Sequence, residues 1–586
     1  MRMTHIKKST TPSRRNKIAL FDIVLVAMVN RGPSKGCVTC KQRRVKCDEA
    51  KPECQMCRRL GLRCGGYRRK NVSLKFKDQS HKFYSTEASA SRAIGFHDRT
   101  VSPSPHQQLS EPDTSVSFFL GNYASIGRRM GSARGFYEVL IPVYCSQPQN
   151  SPLSLAVTAV ASEVLSLWRH DGSEFRSTRK NYARAVTHLR TAIQDRRERG
   201  NPATLLAVLT LQLYDSLAAI YGLRPATRIH HNGAVSLLTH TNPDHDATTS
   251  AYVQRFILHA EVSSALRQKR PLQSIACSFI GRSDLLAAPE NPSSALDAIG
   301  ASVVELQASY MTLATHGGLA SSSKHILSGW IVEAKRIDEH LLAWARYVPD
   351  CWQPLKLVSG RDIDPSIPTY RSVCEVYPSC QIASIWNLWR VQRLILAKIT
   401  LGSLNTLSCR SKLEPTEGEI SGGIEDFVEC KRVVLELVDS MCRSVPFYLG
   451  NRTKVSSIAD FTDPTILLPS CDSLVPANAY NAGMPRDEHK HHIIAQGPFQ
   501  VMSPLSRLLT LFLEDYGQLM VTFLRPGQHN WIRAQFLRVA ALVGLAPGDS
   551  KEESRLLNSS AQGLVHVGVE DIATRIRKGA MFMSGP

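Results

Sequence analysis

The sequence predicts a chain of two unequal parts: a small metal-stabilised domain near the N-terminus, then a flexible linker and a large, mostly α-helical region. Three observations carry this. Six of the 15 cysteines fall within residues 37–64, as C-x2-C-x6-C written twice. Positive charge gathers around them, with 21 Lys/Arg against five Asp/Glu in residues 1–80, which leaves only +5 of the total +21 for the other 506 residues. Beyond about residue 115 apolar residues recur at helical spacing and strand alternation is sparse. At 586 residues the chain has room for two or more domains of about 100 to 200 residues each.

Residues 1–30 read as an extension outside the folded unit. Lys7, Lys8, Arg14, Arg15 and Lys17 precede the apolar run "IALFDIVLVAMV" and so imitate a targeting segment. The run has 12 residues and contains Asp22, where a membrane span needs about 20 apolar residues, and no small-residue cleavage pattern follows. Met28 is the expected natural start, because "MVNRGPSKGC" leads directly into the cysteines. No other segment reads as a span, so the expectation is a soluble intracellular protein with reduced thiols and no membrane partner. The competing reading of the cluster, a small disulfide framework, requires an oxidising compartment. The other nine cysteines (Cys145, Cys277, Cys351, Cys374, Cys380, Cys409, Cys430, Cys442 and Cys471) lack paired spacing and are expected to be reduced core residues.

Ligand arithmetic points to metal within residues 31–70. Zinc takes four thiolate or imidazole ligands in a tetrahedron, and no histidine lies between residues 31 and 70. Two separate zinc sites need eight ligands; six cysteines suffice if two thiolates each bridge both metals. Each C-x2-C pair can then chelate one metal at the start of a short helical turn, with x6 returning a third ligand. One mononuclear zinc with two spare cysteines remains as an alternative. A metallothionein-like store is disfavoured, because the intervening residues are mostly basic.

With the spacing C-x2-C-x6-C, a loop containing Pro52, and C-x2-C-x6-C, residues 37–64 resemble fungal transcription factors with a zinc binuclear cluster, Zn2Cys6. The resemblance implies that Cys37 and Cys54 bridge two Zn²⁺ ions while Cys40, Cys47, Cys57 and Cys64 are terminal ligands. It also implies that Arg43 and Arg44, at the end of the first short helix, enter the major groove of double-stranded DNA at a CGG triplet. Charge agrees with a nucleic-acid partner. Six thiolates and two Zn²⁺ leave −2, and Lys41, Arg43, Arg44, Lys46, Arg58, Arg59 and Arg63 over-neutralise it. An arginine can bond guanine O6 and N7 together, the role assigned to Arg43 and Arg44, while Lys41, Lys46, Lys51, Arg58 and Arg59 are assigned to phosphate. The second half reads as a scaffold copy, in which Leu60 and Leu62 are expected to pack against the first.

Residues 71–114 are expected to be a flexible linker, serine-rich with Pro103, Pro105 and Pro112. "RRK" at 68–70 can serve nuclear import or further phosphate contact, and Ser102 and Ser104 each precede proline. No clean heptads follow Cys64, so the cluster with its linker is expected to be monomeric, and any homodimer to form through the helical region. Residues 115–545 carry the helical stripes: Val157, Val160, Val164 and Trp168 behind a Ser151–Pro152 start; Tyr182, Val186, Leu189 and Ile193; Leu206, Leu209, Leu213, Leu217 and Ile220 behind Asn201–Pro202; and Ile532, Phe536, Val539 and Val543. "SPLSLAVTAVASEVLSLW", "YARAVTHLRTAI" and "HHNGAVSLL" resemble the fungal-specific regulatory domain that accompanies such clusters, which implies a mostly helical effector region. Segments 402–424 and 451–498 are expected to be loops, and residues 546–586 a C-terminal tail.

An enzyme is not expected: there is no G-x-G-x-x-G, P-loop, H-E-x-x-H or G-x-S-x-G. His489, His491 and His492 in "DEHKHH" are conceivable metal ligands but read as a solvated loop, and His230 and His231 as packing or capping residues. The sequence therefore predicts a sequence-specific nuclear regulator of RNA polymerase II transcription that engages the transcription machinery or coregulators. The alternative is a zinc-stabilised scaffold or corepressor that binds nucleic acid without sequence preference.

Overall fold

The computed structural model describes residues 37–43, 45–65, 111–125, 136–169, 175–222, 225–240, 246–280, 291–315, 322–410, 417–471, 486–545 and 564–579. The chain divides into two compact units, residues 1–105 and 106–586. In the first, two five-residue helices begin within the two C-x2-C pairs, directly after Cys37 and Cys54: α1 (Val38–Gln42) and α2 (Gln55–Arg59).

The second unit is helical. Its first half runs α3 (Glu111–Phe119), α4 (Tyr137–Cys145), α5 (Pro152–Arg169), α6 (Phe175–Gln194), α7 (Pro202–Tyr221), α8 (Ile229–Leu237), α9 (Ala247–Gln268) and α10 (Ser274–Phe279). The two starts read from sequence are real caps. Ser151 Oγ accepts the Ser154 N–H at 3.1 Å, and Asn201 Oδ1 accepts the Ala203 N–H at 2.9 Å with Pro202 at the first helical position. Val157, Val160, Val164 and Trp168 are buried, as are Leu206, Leu209, Leu213, Leu217 and Ile220, because α5 packs on α3, α6 and α7. By length and composition α7 could cross a membrane, but nearly all of it is buried inside the bundle, as a core helix would be.

The second half continues with α11 (Pro292–Thr315), α12 (Lys324–Tyr347), the hairpin β1 (Leu355–Val358) and β2 (Val373–Val376), α13 (Cys380–Arg410), α14 (Glu417–Leu449), α15 (Arg486–Leu513), α16 (Gly517–Phe523), α17 (Gln528–Leu542) and α18 (Leu564–Gly579). The two strands pair antiparallel, Leu355 opposite Val376, and are the only ones among the described residues. Ile532, Phe536 and Val539 of α17 and Val543 just beyond it are buried in a core that also takes in α11 to α15. Across that core Arg390 is held by Glu375 at 3.0 Å, Tyr377 Oη at 2.7 Å, Asn387 at 2.9 Å and Ser440 at 3.0 Å.

Several expectations need correction. Segment 402–424 is mostly helix: α13 runs on to Arg410 and α14 begins at Glu417. Gly402 lies inside α13, where it lets Tyr310 approach: a Cβ there would collide with Tyr310 Oη. Segment 451–498 ends in α15, where Gly497 lies so close to the Tyr448 carbonyl that a side chain would not fit; residues 451–471 do lack a long helix. Glu111–Thr114, assigned to the linker, open α3, whereas the rest of the linker lies outside the described residues. The supposed tail contains α18, whose Val569, Ala573 and Ile576 are buried and whose Glu570 pairs with Arg533. Of the scattered cysteines, Cys374, Cys380, Cys430 and Cys442 are buried, but Cys145, Cys277, Cys351 and Cys409 are exposed. Cys145 and Cys409 lie in the last turns of their helices, where one face meets solvent.

Candidate metal centre and nucleic-acid interface

The two halves of the cysteine cluster are built alike. Cys37 and Cys54 adopt extended backbone and cap α1 and α2, their thiols accepting the Cys40 N–H at 3.4 Å and the Cys57 N–H at 3.3 Å. After each short helix the chain turns back through Val45 N–H to the Cys40 carbonyl and Leu62 N–H to the Cys57 carbonyl, both at 3.0 Å. The C-x2-C spacing therefore puts both sulfurs of a pair on the inner side of one turn, and the two turns face each other.

Four thiols meet at the centre, all fully buried. Cys37 Sγ lies 3.6 Å from Cys54 Sγ and 3.8 Å from Cys57 Sγ; Cys40 Sγ lies 3.7 Å and 3.9 Å from the same two. A zinc tetrahedron with Zn–S near 2.3 Å has sulfur–sulfur edges of about 3.8 Å, whereas a disulfide needs about 2.05 Å, and all six cysteines are free. Cys47 reaches the Cys54 side of this group and accepts the N–H of Cys37 and of Glu49, each at 3.4 Å. Cys64 lies against the Cys37 thiol.

The donor set fits a soft divalent metal. Burial pushes the Cys40 thiol up to about 12 and raises Cys54 above the ordinary thiol range, so neutral thiols packed this closely resist ionisation until a cation enters. Cys47 is lowered to about 7 by the Cys37 N–H and, to a lesser degree, the Glu49 N–H. The six cysteines are positioned to bind a binuclear zinc centre.

Two supports escaped the sequence reading. Asp48 accepts the Gln55 N–H at 3.0 Å and the Met56 N–H at 3.2 Å, and so tethers the first half to the start of α2; these bonds hold its carboxyl below the usual range. Thr39 Oγ1 accepts the Gly65 N–H at 2.8 Å and donates to the Arg63 carbonyl at 3.1 Å, joining positions 26 residues apart. A Cβ on Gly65 would meet Thr39 Oγ1 at 3.1 Å and Val38 Cβ at 3.2 Å. The only sequence signal for either support is a short polar residue beside a ligand.

Lys41, Arg43, Lys46 and Lys51 are all exposed, as are Arg58, Arg59 and Arg63; Arg44 lies outside the described residues. Among the described residues no carboxylate pairs with any of these cations. Leu60 and Leu62, expected to pack on the first half, are 51% and 41% exposed. The centre of this unit is cysteine sulfur, and Met56 is the one other hydrophobic side chain packed against it among the described residues.

The histidines of "DEHKHH" are on α15, in place of the expected loop. His492 is fully buried and its Nε2 accepts the Cys380 N–H at 3.1 Å, while His489 and His491 pack on Phe447 and Phe461. They enter no metal-ligand group among the described residues. His230 hydrogen-bonds Tyr182, and His231 lies 2.7 Å from Glu261.

Comparison with known proteins agrees with this geometry. Residues 35–72 match the fungal Zn(2)-Cys(6) binuclear cluster domain. The chain is 56% identical over 32 residues to the aspercryptin biosynthesis cluster-specific transcription regulator atnN of Emericella nidulans, over 6% of this chain and 5% of that protein. It is 41% identical over 70 residues to sterol uptake control protein 2 of Saccharomyces cerevisiae, 10% and 8% of the two chains. It is 59% identical over 32 residues to pestheic acid cluster transcriptional regulator 3 of Pestalotiopsis fici, 6% of each chain. The matched stretches thus span less than a tenth of these relatives, and no solved structure matches the chain.

Proposed function

We propose that the chain is a sequence-specific DNA-binding regulator of RNA polymerase II transcription, acting in the nucleus through the zinc cluster. The observation that carries the reading is the set of exposed, unneutralised cations, Lys41, Arg43, Lys46 and Lys51, arranged around a metal-binding cysteine cluster of a type shared with named transcription regulators. Zinc supplies a cross-link between the two halves that a unit of this size cannot obtain from an apolar core.

In this reading Cys37 and Cys54 bridge the two metals. The closeness of their sulfurs and the contacts of Cys37 with both Cys57 and Cys64 support it. Cys40, Cys47, Cys57 and Cys64 are terminal ligands. Arg43 and Arg44 read a CGG triplet in the major groove as bidentate donors to guanine, and Lys41, Lys46 and Lys51 hold phosphates. The helical unit engages coregulators and supplies any homodimer contact.

Titration of the zinc-loaded full chain against CGG-containing and scrambled duplexes, at several salt concentrations, tests the reading. Tighter binding to the CGG duplex that persists at high salt is expected. Equal affinity for both duplexes with the same salt slope leaves a non-specific nucleic-acid scaffold instead.

A further inference from the structure

Three arginines from three helices line one cavity of the helical unit, which is open in part to solvent and bounds about 620 Å³ of space counting that open part. Arg267 stands in the last turn of α9, Arg507 in α15 and Arg577 in the last turn of α18. Acid is scarce there. Arg507, 3% exposed, bonds Glu514 through Nη1 at 2.8 Å, but its Nη2 is buried without a partner among the described residues. Arg577 pairs with no carboxylate among the described residues; the acid that reaches it electrostatically is again Glu514. Glu514 is already shared with Lys398 and, at 3.2 Å, with Lys269. Among the described residues Glu514 thus serves four cations, Arg507, Arg577, Lys398 and Lys269.

The physical state of the group agrees. Burial drags the Arg577 guanidinium well below its usual range, with Arg507 and Arg267 pushing the same way, and burial takes Arg267 to about 10. Ser263, which also lines the cavity, has a buried Oγ with no hydrogen-bond partner among the described residues. Leu266, Leu388, Val391 and Ile395 supply an apolar side. Arg507 is buried, whereas Arg267 and Arg577 are half-buried at the cavity wall; a buried guanidinium nitrogen left unpaired costs stability, and guanidinium forks match carboxylate and phosphate oxygens.

We propose that this cavity binds a small organic anion, its carboxylate or phosphate head on Arg267, Arg507 and Arg577 and its apolar body against Leu266, Leu388, Val391 and Ile395. By supplying the missing charge the anion also fastens α18 to α9 and α15, so its occupancy regulates how firmly the last helix is held. The site stands independently of what the zinc cluster binds.

Thermal unfolding of the zinc-loaded full chain tests the proposal with hexanoate and hexyl phosphate as probes, which separate the two head groups, at ionic strength matched with chloride and with hexanol as the neutral control. At least one of the two anions should raise Tm saturably by about 2 °C or more, and hexanol should not. Arg577→Met should raise the Tm of the ligand-free protein, because it removes an uncompensated cation, and should abolish the anion shift. Arg267→Met, a change in another helix, should abolish the shift as well, and equilibrium dialysis of hexyl phosphate should lose its binding in parallel. No shift with either anion beyond chloride, or an undiminished shift in both variants, overturns the proposal.

Discussion

Replacing Glu261 by glutamine should remove about 3 kcal/mol of stability at pH 7, and the loss should fade in acid. Glu261 sits fully buried in α9, where Arg270 donates from Nη1 at 2.6 Å and Nη2 at 2.8 Å, the Gln273 N–H donates at 2.8 Å and His231 Nε2 lies 2.7 Å away. Burial alone would raise its carboxyl; Arg270, His231 and the Gln273 N–H outweigh it and bring the value to about 2, from an ordinary 4.5. At 1.36 kcal/mol per unit that gap corresponds to about 3 kcal/mol, at the lower edge of the roughly 3 to 5 kcal/mol seen when a buried pair loses one partner. Because the folded value is the lower one, this stability is complete above about pH 4.5 and is lost as pH falls through about 2. Urea unfolding of full-length wild type and E261Q at pH 7 and pH 3.5 reads it. A cost under about 1 kcal/mol at pH 7, or one of equal size at both pH values, would show that the carboxylate is not held as these four contacts imply.

The zinc-loaded chain should contain two zincs by mass spectrometry under native conditions and lose the structure of its N-terminal unit with chelator; a ratio of one per chain refutes the binuclear assignment. Cys37→Ser or Cys54→Ser should disturb both metals, whereas Cys47→Ser should leave one, measured as metal content after dialysis. Arg43→Ala should weaken binding to CGG duplexes by about 5- to 150-fold with little change on scrambled DNA, while Lys51→Ala should weaken both alike and lower the salt slope by about one; equal losses on both duplexes for Arg43→Ala remove it from base readout. Thr39→Val deletes the acceptor of the Gly65 N–H and should speed zinc transfer to a chromogenic chelator without changing the stoichiometry; an unchanged rate means the bond does not hold the cluster shut.

The metal site was legible because ligand geometry is local: C-x2-C on a helical turn brings two sulfurs to one side whatever surrounds them. The helical stripes were legible for the same reason, since Ser151, Asn201 and the apolar positions behind them act within one helix. What could not be read depended on partners distant in sequence. Gly402 and Gly497 look like chain breakers in isolation, and only the approach of Tyr310 and of the Tyr448 carbonyl explains them. His492 looks solvated until Cys380, 112 residues away, supplies the N–H it accepts. Leu60 and Leu62 were misjudged in the opposite direction, by presuming an apolar interior in a unit whose interior is sulfur. The arginine cavity draws on α9, α15 and α18, and no spacing rule connects residues 267, 507 and 577.

The bond from Gly65 to Thr39 brings the exit of the cysteine cluster back to its entrance. A module whose two ends leave side by side can be spliced into a surface turn of an unrelated protein without stretching either host or guest. Residues 37–65 therefore suggest a cassette to graft into the loop of a fluorescent reporter, where zinc availability should be read as light.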